Sequence, residues 1–136
     1  MRDERGAVTA FVACFTVALI AVFGLVVDGG LILATRREAF NAADAAARRG
    51  AQAVDESALR AGQPLTLNEA EAKQRALEYL SANGLDGSAD VIGDRITVTV
   101  RTSRSMSVLG FTGMGPVDVQ ATGTARAVQA VREEED

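Results

Sequence analysis

An uninterrupted apolar segment near the amino terminus constrains this chain more than any other feature. The 21 residues from Ala7 to Val27 carry no charged side chain, and Asp28 follows directly. About 20 apolar residues in a helix cross the hydrocarbon core of a bilayer, because a helix rises ~1.5 Å per residue. A cleaved secretory signal has a shorter apolar core of about 7–15 residues, followed by a small-residue cleavage site. The sequence therefore predicts a transmembrane helix over residues 7–27.

Flanking charges favour a cytoplasmic amino terminus. Arg2 and Arg5 lie close to the span on its amino-terminal side, whereas Asp28 follows the span and the next base is Arg36. Basic residues beside a span tend to stay in the cytoplasm. Arg36 and Arg37, which follow the span, favour the opposite orientation. We therefore expect a single-pass protein of the cell membrane, with residues 1–6 as a cytoplasmic terminus or leader and the carboxyl-terminal part outside the cytoplasm.

Small side chains recur every four residues along the span, which places them on one face of a helix. This small-residue row consists of Gly6, Ala10, Cys14 and Ala18. Small residues let helices approach closely in lipid, so we expect the row to pack against another helix; chance recurrence in an alanine-rich chain is the alternative. Asp28, at the end of the span, is interpreted either as a solvated membrane-boundary residue or as the partner of an arginine or a chain amine in another subunit.

Composition excludes several classes of function. The 14 basic and 18 acidic residues give a net charge of −4, so a basic face for nucleic acid is not expected. The chain has no histidine and its one cysteine lies in the apolar segment, so Ser–His, Cys–His and zinc sites lack their essential residues. The segment "DGSAD" begins like a calcium loop, but its twelfth position is Thr97 instead of glutamate. We predict that the chain is not an enzyme and has no cofactor, metal site, nucleic-acid partner or small-molecule substrate.

Two helices are expected beyond the span. Strong helix formers continue from the span to Ser57, so residues 28–57 are predicted to extend the first helix out of the membrane. A capping box formed by Thr66 and Glu69 is expected to begin a second helix, and Gly84 is expected to end it.

Alternating apolar residues then predict three strands, "SADVI", "RITVTV" and "VDVQATGTARAV", the first two joined by a turn at Gly93 and Asp94. Residues 58–128 are therefore expected to form a small domain of helix and sheet, and residues 129–136 an acidic tail. The fold class predicted is α+β: a long amino-terminal helix, transmembrane and then exposed, with a second helix and a small three-stranded antiparallel sheet.

The connection between the second and third strands, "SRSMSVLGFTGMGP", is more apolar than a solvated hairpin loop. Its large apolar side chains include Val108, Leu109, Phe111 and Met114. Because soluble domains avoid exposed apolar patches, we expect these side chains either to close the core over a helix or to form a contact surface for a partner or for the lipid interface.

Four features of the amino-terminal part, taken in order, resemble a known family. The segments "ERGAVTAFVA" and "LVVDGGLILATRREAFNAADAAARRGAQA" join a basic–glycine boundary, an apolar span, an Asp-x-Gly element and an Asn-Ala-Ala-Asp run that contains Asn41 and Asp44. In this order they resemble the amino-terminal segment of TadE/TadG-like proteins of the Flp (tight adherence) pilus system, over roughly Glu4 to Ala53. The short length and the richness in arginine and alanine are similar to actinobacterial members.

The resemblance implies a membrane-anchored, pilin-like protein, a minor pilin or pseudopilin that assists assembly of an Flp/Tad-type pilus or related secretion filament. Its partners would be other pilin-like or Tad assembly proteins and membrane lipid. Type IV pilins and some TadE-like proteins are cut after a glycine by a prepilin peptidase, which implies processing between Gly6 and Ala7. The fifth residue after that bond is Phe11, where pilins carry glutamate. The alternative is a stand-alone membrane-anchored scaffold or adaptor that does not enter a filament.

Overall fold

A computed structural model of the chain describes residues 4–108, 110, 113 and 115–128. The described part has the α+β, pilin-like order of elements predicted from the sequence, with one additional short helix. Its elements are α1 (Glu4–Gly50), α2 (Glu56–Arg60), α3 (Glu69–Ala82), β1 (Asp86–Ile92), β2 (Arg95–Arg104) and β3 (Val117–Arg126).

These elements belong to two compact units. The first unit combines the chain up to Thr35 with Ser103–Val117. The second unit contains Arg36–Thr102 and the chain from Asp118 onward. The first unit therefore holds the apolar part of α1 and the connection that follows β2, whereas the second holds the alanine-rich part of α1, α3 and most of the sheet.

Helix α1 begins in the basic amino-terminal segment and ends at Gly50, seven residues before the predicted end at Ser57. The helix ends there because the chain turns and pairs with a later segment. The amide of Ala53 donates to the carbonyl of Gly50, and Val54 then forms a bridge with Leu67. Among the described residues, this helix is long and apolar enough to cross a membrane.

Helix α3 begins later than the sequence indicated. Its N-cap is Asn68, whose side chain accepts a hydrogen bond from the amide of Glu71. The predicted capping box of Thr66 and Glu69 is therefore wrong. Leu67, which still bonds in extended conformation to Gly93, prevents a helix from starting at Thr66. The predicted end is confirmed. Gly84 has φ of 67°, and the amides of Gly84 and Leu85 donate to the carbonyls of Ser81 and Leu80 in the last turn of the helix.

The sheet has the strand order β1-β2-β3 predicted for an antiparallel meander. β1 and β2 pair from Asp86 with Arg101 to Ile92 with Arg95, and the predicted two-residue turn joins them. Its first residue, Gly93, has φ of 61°, a conformation that only glycine adopts without strain.

The core of the second unit lies between this sheet, α3 and the alanine-rich turns of α1. The inward residues of β2 are fully buried, as the alternation predicted, and so are those of α3 and α1 that face them. They are Ile96, Val98, Val100, Leu80, Ala72, Ala76, Ala43, Ala46 and Ala47. Close approach of the helices is possible because the α1 face carries only methyl groups and glycine.

Candidate membrane and assembly surfaces

The apolar part of α1 presents its side chains outward over most of its length. From Gly6 to Phe23 every residue is exposed, and the large side chains along this stretch and on to Val26 are more than half accessible. A soluble protein does not expose a continuous apolar surface of this size, because its contact with water is costly. The surface therefore suits lipid or the apolar faces of other helices.

The small-residue row lies on this exposed surface. All four of its members are exposed, and a β-carbon added at Gly6 would meet no atom within 4 Å. Next to the row, Phe11 and Phe15 stack with ring centroids 6.0 Å apart and planes 9° from parallel. The row is thus accessible to a second helix, and its use in helix packing stays a prediction.

Asp28 is buried, with 2% of its surface accessible, whereas Glu38 and Asp44 on the same helix are exposed. Its Oδ1 accepts hydrogen bonds from the amides of Ser107 at 2.9 Å and Val108 at 3.1 Å. Its Oδ2 lies 3.1 Å from the same Val108 amide. One carboxylate therefore receives two successive backbone N–H groups, which stabilises its charged form.

The partners of Asp28 lie in the apolar connection between β2 and β3. Val108 and Met106 are half-buried there, and the predicted contact residues Leu109, Phe111 and Met114 lie outside the described residues. Sequence reasoning singled out both Asp28 and this connection but did not join them. Because Asp28 and Val108 are 80 residues apart, no local pattern could have indicated the contact.

The alanine-rich run from Asn41 to Ala53 divides into two faces. Its alanines and Gly50 mostly face the core, whereas Asn41 and Asp44 are exposed together with the arginines of the same run. The side that contacts the sheet is so tight that an added β-carbon at Gly123 would overlap the backbone of Ala43. The two family-motif residues therefore do not contribute to the core and are available on the surface of the second unit.

Charged side chains of the second unit stabilise local structure. Asp55 caps α2, and hydrogen bonds from the Ser57 hydroxyl and from the amides of Ala58 and Ser57 hold the pKa of its carboxyl below its usual range. The bond between Glu69 and Lys73, 2.7 Å long, lowers the pKa of the carboxyl and raises that of the amine. These groups lie on exposed helix ends and surfaces, which is the ordinary place for structural charges.

The clefts of the described chain are shallow and lined by surface side chains. One, of about 420 Å³, is lined by Arg49, Gln52, Arg75, Glu78 and Tyr79. Among the described residues, no group of three or more acidic or cysteine side chains could hold a metal ion.

Comparison with protein families matches residues 6–53 to the family described as putative Flp pilus-assembly TadE/G-like. The resemblance inferred from the sequence is therefore confirmed for this segment, which includes the span, Asp28 and the alanine-rich run. Comparisons with curated proteins and with solved structures gave no match.

Proposed function

We propose that this chain is a membrane-anchored component of Flp/Tad-type pilus assembly. The match of residues 6–53 to the TadE/G-like family carries this proposal. The matched segment combines a helix suited to a membrane with an alanine-rich continuation that supports a small folded domain. This is the arrangement expected of a protein that assembles with others through its helix.

Within this role, we propose a pilin-like subunit, a minor pilin or pseudopilin. The exposed small-residue row would pack against the helices of other pilin-like or Tad assembly proteins, because such rows allow close approach in lipid. The exposed pair Asn41 and Asp44 offers polar contacts beyond the membrane to the same partners. The protein would cross the cell membrane once, with its amino terminus in the cytoplasm and its folded domain outside.

Processing between Gly6 and Ala7 is part of this proposal. The bond lies at the start of the exposed apolar surface, where a membrane peptidase could reach it. Phe11, 69% accessible, occupies the position at which pilins carry glutamate. A filament position for this subunit would therefore depend on helix packing instead of an acidic contact.

A stand-alone anchored scaffold or adaptor is the competing function. The phenylalanine at position 11 favours it, because a subunit without the glutamate lacks one contact that pilins use on entering a filament. Neither function requires catalysis, and the absence of histidine from the sequence supports a non-enzymatic role for both.

Two measurements on protein from its native membrane test the proposal. Crosslinking followed by copurification should recover Tad pilins or assembly proteins with the chain; recovery of none would contradict a role in pilus assembly. Intact mass, measured with and without the cognate prepilin peptidase, should show loss of residues 1–6 only when the peptidase is present. A full-length mass in both samples would contradict processing and favour the anchored scaffold.

A further inference from the structure

The position of Asp28 along α1 shows where the β2–β3 connection lies relative to the end of the apolar segment. Asp28 is the first residue after that segment, so its Cα lies about one helical rise, ~1.5 Å, beyond that of the last apolar residue. The amides of Ser107 and Val108 lie within 3.1 Å of this carboxylate. When α1 spans a bilayer, the backbone of the connection is therefore held at the boundary between hydrocarbon and headgroups.

The helix itself stays apolar beyond this point. No charged residue occurs from Gly29 to Thr35, and Leu33 in this segment is 58% accessible. Arg36, the next charge, follows Asp28 by eight residues, a distance of about 12 Å along the helix. The headgroup layer on one side of a bilayer is about 5–8 Å thick. The apolar surface of α1 therefore continues through that layer on the side of Asp28.

The connection adds apolar side chains at the same level. Met106 and Val108 are half-buried and keep part of their surface accessible, and the connection belongs to the same compact unit as the apolar part of α1. In sequence the connection continues with further apolar residues and three glycines and has no charged residue between Arg104 and Asp118. An uncharged apolar surface beside a membrane boundary is suited to the bilayer interface.

We propose that the start of the β2–β3 connection, from Met106 to Val108, is a second membrane-contacting surface, which occupies the lipid interface and is positioned there by Asp28. The carboxylate fixes two successive backbone amides, so it holds the connection against α1 without placing an unpaired charge at the lipid boundary. A second contact with the membrane restricts rotation of α1 about its axis, because interfacial anchors set the rotation and tilt of a span. The small-residue row would then face one fixed direction.

Tryptophan fluorescence tests the location of the connection, because the chain has no tryptophan of its own. The full-length variant Val108→Trp is reconstituted in phosphatidylcholine and phosphatidylglycerol vesicles that contain lipids brominated either near the headgroup or near the chain end. Val17→Trp, in the middle of the span and 67% accessible in the native side chain, is the deep reference. Ile92→Trp, 81% accessible in the native side chain, is the reference in the second unit.

For an interfacial connection, shallow bromines should quench Val108→Trp about twofold more strongly than deep bromines, the reverse of the order for Val17→Trp. Quenching of Val108→Trp no greater than that of Ile92→Trp, in vesicles where Val17→Trp is quenched, would overturn the proposal. Met106→Trp is a second reporter, and circular dichroism verifies the fold of each variant. If Val108→Trp does not fold, the same criteria apply to Met106→Trp.

The positioning role of Asp28 is tested by the same readout in an Asp28→Ala background. Removal of the carboxylate leaves the two amides without their acceptor, so shallow quenching of Val108→Trp should fall by about half while quenching of Val17→Trp is unchanged. Unchanged quenching at Val108 would show that Asp28 does not position the connection. The vesicles contain no other Tad protein, so failure of this proposal leaves the proposed assembly role untouched, and the copurification result does not affect it.

Discussion

At Gly123 the sheet and helix α1 approach each other as closely as two backbones allow. A β-carbon built there would overlap the carbonyl carbon of Ala43 and the amide nitrogen of Asp44. Both are main-chain atoms of a helix, so they cannot move aside as a flexible side chain could. At the level of single residues, small size is therefore the property that determines the packing of the second unit. The buried residues of β3 become smaller along the strand in the order Val119, Ala121 and Gly123.

The substitution Gly123→Ala should lower the free energy of unfolding by about 1–3 kcal/mol, because overpacking forces the strand away from the helix. Thermal denaturation of the detergent-solubilised chain, followed by circular dichroism, measures the effect. Gly30→Ala is the matched control, since its added β-carbon would meet no atom within 4 Å and alanine favours a helix. Equal melting temperatures for Gly123→Ala and the native chain would contradict the tight contact.

Asp55 provides a pH-dependent contribution to stability. The pKa of its carboxyl lies below its usual range because hydrogen bonds from the Ser57 hydroxyl and two amides stabilise the charged form. A pKa that is depressed in the folded state stabilises the fold above the unfolded value, and this stabilisation is lost as the pH falls through the folded value. Asp55→Ala should therefore lower the melting temperature at pH 7, and the difference from the native chain should narrow below about pH 4.

Circular dichroism melts of both chains from about pH 7 to about pH 3 test this expectation. All other carboxyl groups are shared by the two chains, so the difference between their melting temperatures isolates Asp55. A difference that widens towards low pH would have the wrong sign and would exclude the depressed pKa as its cause.

At the level of elements, α1 combines two surfaces with different requirements. Its amino-terminal part exposes large apolar side chains and the small-residue row, which suits lipid and neighbouring helices. Its carboxyl-terminal part buries Ala39, Ala43, Ala46, Ala47 and Gly50 against its own domain and exposes charges on the other side. Alanine serves both parts, since it favours the helix and permits close contact.

Ala10→Leu or Ala18→Leu should weaken copurification of the chain with a pilin partner, because a larger side chain blocks close approach along the row. Thr16→Leu, a substitution about 160° round the helix from both Cys14 and Ala18, also introduces a leucine at an exposed position and should have little effect. Quantitative recovery of the crosslinked partner is the measurement. Equal losses for all three variants would show that the row has no special role in packing.

At the level of the whole molecule, the proposed span lies between the amino terminus and the second unit in sequence, and the proposed orientation places these two parts on opposite sides of the membrane. The one native cysteine, Cys14, lies in the span, so replacing it with serine gives a cysteine-free chain. Single cysteines can then be introduced at Asp3 before the span and at Ser88, which is exposed on β1. The pair reports the two sides independently.

In intact cells without a prepilin peptidase, a membrane-impermeant maleimide should label Ser88→Cys, whereas Asp3→Cys should react only after lysis. The absence of the peptidase keeps residues 1–6 on the chain. Labelling of Asp3→Cys in intact cells with protection of Ser88→Cys would reverse the orientation inferred from the flanking arginines.

The span and the order of α1, α3 and the three strands were predictable from the sequence, because they depend on local periodicity. A charge-free stretch of this length predicts a membrane helix, alternation predicts strands such as Arg95–Arg104, and the pair Gly93–Asp94 between two alternating runs predicts the turn. The family resemblance was also local, since it lies in consecutive residues that the comparison matches as one segment.

Tertiary structure alone decided where α1 ends, where α3 begins and which groups bind Asp28. Helix propensity favours continuation to Ser57 and a cap at Thr66, but Val54 pairs with Leu67 in extended conformation, so α1 ends before Val54 and α3 begins after Leu67. The partners of Asp28 are backbone amides 79 and 80 residues away, and every residue except proline has such an amide. Residue types do not predict a contact made through the main chain, so this contact could be identified only from the folded structure.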